Sequence, residues 1–177
     1  KREGRWRSIS WSDAAIRVAA LADALKRLGL QRGDRVMLVS ENRPEWCIAD
    51  LGIMAAGCVT VPTYTTNTER DHLHILENSG ASAVIVSTDK LARTLLPAVM
   101  RADAVRHLIS LEPLKLPQAG GIDFHLWDDL LATSHPDVVA TSIAVAAEQK
   151  REDLACIIYT SGTGGAPRGV RQHHGAI

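Results

Sequence analysis

Leu154-Ala155-Cys156-Ile157-Ile158-Tyr159-Thr160-Ser161-Gly162-Thr163-Gly164-Gly165-Ala166-Pro167-Arg168-Gly169-Val170 joins an apolar run to a loop of small and hydroxylated residues, then to a fixed cation. The run from Leu154 to Tyr159 reads as a buried strand, which would hold the start of the loop rigidly. Gly162, Gly164 and Gly165 let main-chain N–H groups approach an anion closely. Thr160, Ser161 and Thr163 can donate to phosphate oxygens, each charge-assisted bond contributing about 1.5–3 kcal/mol. Arg168 offers a planar fork that can grip phosphate. These parts fit a polyphosphate, and a flexible Ser/Gly turn is the alternative that composition alone leaves open. Two familiar phosphate loops fail on spacing. No G-x-x-x-x-G-K-[ST] pattern can be placed here, and Pro167 stands where the last glycine of G-x-G-x-x-G should be.

Upstream of this stretch, strand-like and helix-like segments alternate. Arg5 to Ile9 reads as an edge strand. Ser10, with Asp13 three positions on, forms a capping box for a helix carrying Ile16, Ala20, Leu21, Leu25 and Leu28, with Gly29 as terminator. A turn at Arg32-Gly33-Asp34 leads to a strand at Val36 to Val39. Pro44 starts a helix that runs to Gly57, and the strand from Val59 to Val61 is expected to stop at Pro62. Thr66 or Thr68 caps a helix over Glu69 to Ser79, closed by Gly80. Ala83 to Val86 and Val105 to Leu111 read as strands around a helix at Lys90 to Met100, where Pro97 is an anomaly. Glu112 to Gly121 reads as a surface loop, Phe124 to Leu126 as a short strand and Trp127 to Ala132 as a short helix. Ala140 to Glu148 fits strand or helix. This alternation specifies an α/β fold with a mostly parallel sheet.

The 177 residues suffice for one domain or a large piece of a bigger one, with 46% hydrophobic and 23% charged residues. Twenty basic residues balance 20 acidic ones, so net charge draws the chain to neither nucleic acid nor anionic membrane. No stretch approaches the roughly 20 apolar residues of a transmembrane segment. The cysteines, Cys47, Cys58 and Cys156, have no C-x-x-C spacing and sit in apolar surroundings. They read as small core residues, without a disulfide or zinc framework, and the cytoplasm is the expected location.

Tyr159 to Val170 resembles the signature of the adenylate-forming superfamily, Y-T-S-G-[ST]-T-G-x-P-K-G-V. It departs from that signature at Gly164, where threonine is usual, and at Arg168, where lysine is usual. Gly33-Asp34-Arg35-Val36, Asn42-Arg43-Pro44-Glu45-Trp46, Val61-Pro62-Thr63-Tyr64 and Leu76-Glu77-Asn78-Ser79-Gly80 are similar to the long-chain fatty acyl-CoA synthetase branch. The resemblance implies that residues 1–177 are the N-terminal portion of the AMP-binding domain, ending just after the phosphate loop, without the C-terminal lid domain. It implies activation of a fatty acid with ATP, and then transfer to coenzyme A as co-substrate. Thr160, Ser161, Gly162, Thr163, Gly164, Gly165 and Arg168 would hold the β- and γ-phosphates, with Mg2+ carried by the nucleotide. It supplies no protein metal ligands, leaves a homodimer and peripheral membrane attachment open, and implies that this stretch alone is inactive.

Other residues are read more plainly. His174 matches a histidine common in that superfamily and is the one candidate for a catalytic role. His173 beside it would point about 100° away on the helix expected to begin at Gln172 to Ile177. His72 and His74, two apart on a helix, do not share a face and read as surface residues. Trp46 and Tyr64 read as packing residues, and Asp34 as a turn former. The functional alternatives are a fatty acyl-AMP ligase that loads a carrier protein and a non-catalytic nucleotide-binding module.

Overall fold

Short runs of aliphatic and β-branched residues form the centre of the molecule: β1 (Arg35–Val39), β2 (Val59–Thr63), β3 (Ala83–Val86) and β4 (His107–Ser110). In the computed structural model, which describes residue 6 and residues 8–115, 121–133, 137–160 and 166–177, they pair in parallel. With β5 (Asp123–Leu126), β6 (Leu154–Thr160) and β7 (Arg168–His173) they make a seven-stranded sheet of order β5-β4-β3-β1-β2-β6-β7. Only the β6–β7 pair is antiparallel.

Alternation along each strand builds two cores. Met37, Val39, Val84, Val86 and Leu108 face Ile75 and Leu76 of α3 (Glu69–Ser79) and Leu95, Leu96 and Val99 of α4 (Asp89–Arg101). Val36, Leu38, Ile85 and Ile109 face Leu21 and Leu25 of α1 (Trp11–Arg27), Ile48 and Ile53 of α2 (Pro44–Ala55) and Trp127 of α5 (Trp127–Ala132). Each fully buried aliphatic side chain contributes roughly 1.5–3 kcal/mol relative to exposure. This two-sided burial explains why the strands read as unbroken apolar runs. The ambiguous segment after α5 is helical, α6 (Val138–Ala147), and packs on α1.

Helix ends follow the expected chemistry. Ser10 and Asp13 form a capping box on α1, and Thr68 and Asp71 form another on α3. Gly80 closes α3 with φ of 62°, in the left-handed region that favours glycine. Arg35 secures that end: its Nε donates to the Ser79 carbonyl at 2.8 Å and its Nη2 to the Gly80 carbonyl at 2.7 Å. A cation among the last carbonyls of a helix also complements its dipole.

Three expectations are corrected, and the anomaly at Pro97 is explained. Trp6, Ser8 and Ile9 form no strand, and Arg5 and Arg7 lie outside the described residues. Pro62 continues β2 opposite Leu38. The registered β2–β6 pair is Thr60↔Cys156, which leaves Pro62 where no registered β6 partner requires its N–H. Pro97 sits inside α4 on the exposed face, where water can serve the carbonyl that lost its donor. Gln172 and His173 belong to β7, and only a short 3-10 turn, His174–Ala176, follows. The outer edge of β6 would otherwise present unpaired backbone groups, and β7 covers it. Of the expected loop at Glu112 to Gly121, residues 116–120 lie outside the described residues.

Candidate functional site

The chain leaves β1 for β2 on one side, then passes back across β1 to place β3 on the other. Strand order therefore reverses at β1, and such switch points open a crevice beyond the carboxyl ends of the strands. A cleft of about 540 Å³ lies at that edge. Its walls are Ser40 to Asn42 after β1, Pro62 to Thr65 at the end of β2, Ile158 and Tyr159 of β6, and Trp46 of α2. Ser87, fully buried after β3, donates its hydroxyl to the Glu41 carboxylate, tying the two strand ends together. Thr63 Oγ1 is buried in this lining without a hydrogen-bond partner among the described residues. An orphaned hydroxyl costs about 1–3 kcal/mol, which a polar ligand could recover.

The expected phosphate loop begins beside this cleft. Thr160 ends β6 and Arg168 begins β7, and the two are register partners, so the intervening residues form the connection of an antiparallel hairpin. Both are exposed. Ser161, Gly162, Thr163, Gly164 and Gly165 lie outside the described residues. His174 is not brought to this end. Leu154, at the start of β6, is the partner of His173, so His174 stands at the far end of the strand from Thr160, on the order of 20 Å away by strand rise. There its N–H donates to the Asp153 carbonyl at 3.0 Å, and it borders a small cleft with Arg32 and Gly33.

Both stems of the hairpin touch α3. The Tyr159 hydroxyl donates to Asn78 Oδ1 at 2.6 Å, and His74 Nε2 meets the Pro167 carbonyl at 2.8 Å, where it acts as donor. The His74 and Tyr159 rings meet edge to face, 6.3 Å apart at 87°. Tyr159 is the register partner of Gly169, and a Cβ on Gly169 would come within 2.8 Å of Ile157 Cγ2 and 3.1 Å of Tyr159 Cζ. Any side chain there would displace the ring. Burial pushes the Tyr159 phenol up, so it stays a hydrogen-bond donor at neutral pH.

The histidines of α3 are thus not surface residues. His72 is 2% exposed, with Nδ1 buried and without a partner among the described residues, and burial lowers its pKa; His74 is half-buried against the hairpin. The helix is packed on more than one side, by the sheet and by the hairpin, which a two-residue spacing argument does not capture. Tyr64, expected to pack, is 67% exposed at the rim of the cleft, whereas Trp46 packs partly buried against the core. Cys47 is exposed because it lies on the outer face of α2, while Cys58 and Cys156 are buried as expected. Burial pushes the Cys58 thiol up to about 12 and the Cys156 thiol up as well. Neither Asn78 nor the cleft residues Glu41 and Thr63 stand out in the sequence as site residues. The available signal was the four-residue spacing of His74 and Asn78, which puts them on one helix face.

Solved CoA ligases share this architecture. The chain superposes on an anthranilate CoA ligase, AuaEII, with TM-score 0.77 at 24% identity, covering 95% of this chain and 30% of that one. It superposes on a benzoate CoA ligase from Burkholderia xenovorans LB400 with TM-score 0.75 at 26% identity and the same coverage. In sequence it is 34% identical over 169 residues to the long-chain-fatty-acid–CoA ligase FadD15 of Mycobacterium tuberculosis, covering 96% of this chain and 27% of the relative. It is 28% identical over 174 residues to the long-chain-fatty-acid–CoA ligase ACSBG2 of Mus musculus, covering 98% of this chain and 26% of the relative. The chain thus spans about a quarter of the length of these relatives. The pattern of the family described as AMP-binding enzyme runs through residues 2–177, strand ends and hairpin included, and the chain belongs to that family.

Proposed function

We propose that the full-length protein is an AMP-forming acid–thiol ligase acting on a fatty acid of long chain. The observation that carries this reading is the β6–β7 hairpin at the carboxyl edge of the sheet, with Thr160 and Arg168 as register partners at the two ends of a Gly- and hydroxyl-rich connection. The naming of the relatives as long-chain-fatty-acid–CoA ligases supports the acid. In the first step a carboxylate oxygen attacks the α-phosphorus of ATP, the bond to pyrophosphate breaks, and acyl adenylate forms. In the second, the thiol of coenzyme A attacks the acyl carbon and AMP leaves.

Thr160, Ser161, Gly162, Thr163, Gly164, Gly165 and Arg168 hold the β- and γ-phosphates in this scheme. Main-chain and hydroxyl donors fixed in place stabilise charge without reorganisation, one such donor contributing about 2.7–4 kcal/mol. Mg2+ arrives as part of the nucleotide substrate. Among the described residues no cluster of three or more His, Cys, Asp or Glu side chains could hold a metal by itself. Gly164 in place of a hydroxyl-bearing residue weakens the hold on ATP, so Gly164→Thr lowers the KM for ATP.

The test is acid-dependent ATP–pyrophosphate exchange by the full-length gene product across short, medium and long fatty acids. Exchange that rises with a long-chain acid, and AMP release on adding coenzyme A, are the expected results. Exchange without thioester formation would make the product an acyl adenylate for another acceptor. No exchange with any carboxylic acid would overturn the reading.

A further inference from the structure

We propose that α3 is a positioning element of the phosphate-binding hairpin, with Asn78 gripping its incoming stem and His74 its outgoing one; this rests on the reading of that hairpin as the ATP site. The two side chains lie four residues apart, on one face of the helix. One accepts from the Tyr159 hydroxyl just before Thr160, and the other donates to the Pro167 carbonyl just before Arg168. The grip therefore falls on both sides of the segment that carries the hydroxyls and glycines.

Three features make this more than incidental packing. Gly169 has no side chain, which lets the Tyr159 ring lie against β7 with its hydroxyl aimed at α3. The Tyr159 and His74 rings meet edge to face, so the two grips brace each other. The helix is itself fixed at both ends, by the Thr68/Asp71 capping box and by Arg35 on the Ser79 and Gly80 carbonyls. The hairpin stems cannot shift without moving α3 against the sheet. Holding the stems removes freedom that the loop would otherwise lose on binding nucleotide, and preorganisation of this kind appears as affinity.

The experiment uses the full-length protein. Tyr159→Phe, Asn78→Ala, their double variant, His74→Ala and His74→Gln are compared by KM for ATP and for fatty acid in the exchange assay, by thermal midpoint, and by amide hydrogen exchange of the peptide spanning residues 160–166. Loss of one such hydrogen bond corresponds to about a five- to tenfold change. Tyr159→Phe and Asn78→Ala each raise the KM for ATP by that factor and leave the fatty-acid KM within twofold. The double variant is no worse than either single one, because both remove the same bond. His74→Ala behaves alike, and His74→Gln, which keeps a donor, recovers most of the loss. Loop amides exchange faster in each weakened variant. An ATP KM within twofold of wild type throughout, or both KM values rising together with a lowered thermal midpoint, would reduce these residues to packing and overturn the proposal. If wild type shows no acid-dependent exchange while the loop amides still quicken in the variants, the ligase reading fails and the grip stands. Unchanged loop amides sink the grip whatever the activity.

Discussion

At Gly169 a single missing methyl decides how two strands and a helix meet. Ile157 and the Tyr159 ring occupy the space a side chain would need, with Ile157 Cγ2 2.8 Å and Tyr159 Cζ 3.1 Å from where a Cβ would sit. Gly169→Ala is expected to destabilise the fold by about 1–3 kcal/mol through overpacking, and to speed exchange of the Asn78-facing stem. Denaturant unfolding checks this, and an unchanged midpoint would mean the ring relocates freely. His72 acts through charge. Its ring is buried and its pKa is lowered from the ordinary 6.5 by that burial. The unfolded chain binds a proton that the folded state resists, so stability is full above 6.5 and falls as pH drops through the unfolded value toward the folded one. Burial beside His107 lowers His125 in the same direction, so it contributes to the same limb. Urea unfolding at pH 7.5 and 5.5 should show a smaller acid loss in His72→Leu than in wild type, and equal losses would acquit His72. The burial of His72 was not legible from a two-residue spacing on a polar helix, because which faces of α3 are covered is settled only when the helix packs in the assembled chain.

Among the elements, α3 carries the most consequence for its size. Its cap was legible only as Thr66 or Thr68; the structure settles it at Thr68, where the Asp71 carboxylate accepts from the Thr68 N–H at 2.9 Å, and these bonds hold the Asp71 pKa below the usual range. Thr68→Ala is expected to lower stability by about 1 kcal/mol, visible as a lower denaturation midpoint. If α3 positions the hairpin, the same variant also quickens exchange in residues 160–166, and a stability loss without that change would separate the helix from the loop. The hairpin itself was only half legible. The apolar run of β6 announces a buried strand, but Gln172 to Ile177 reads as a helix start. Its strand character comes from pairing with β6, an interaction no window of local sequence contains.

For the molecule as a whole, burial sorts chemically identical groups. Cys47 lies exposed on the outer face of α2, while Cys58, just before β2, and Cys156, within β6, are buried, with thiols pushed up by that burial. Alkylation with iodoacetamide at pH 8, mapped by peptide, should label Cys47 first and reach Cys58 and Cys156 only after unfolding. Comparable early labelling of Cys58 would mean the β2 region opens readily. The sequence by itself determined the α/β class, the helix cap at Ser10 and the buried central strands, and narrowed the next cap to Thr66 or Thr68, because periodicity and capping act over a few residues. Only the tertiary structure decided the strand order, the cleft where β1, β2 and β6 end, the inward turn of His72 and the meeting of His74 and Asn78 with the hairpin stems. Those features depend on which surfaces bury each other, and burial is a property of the assembled chain.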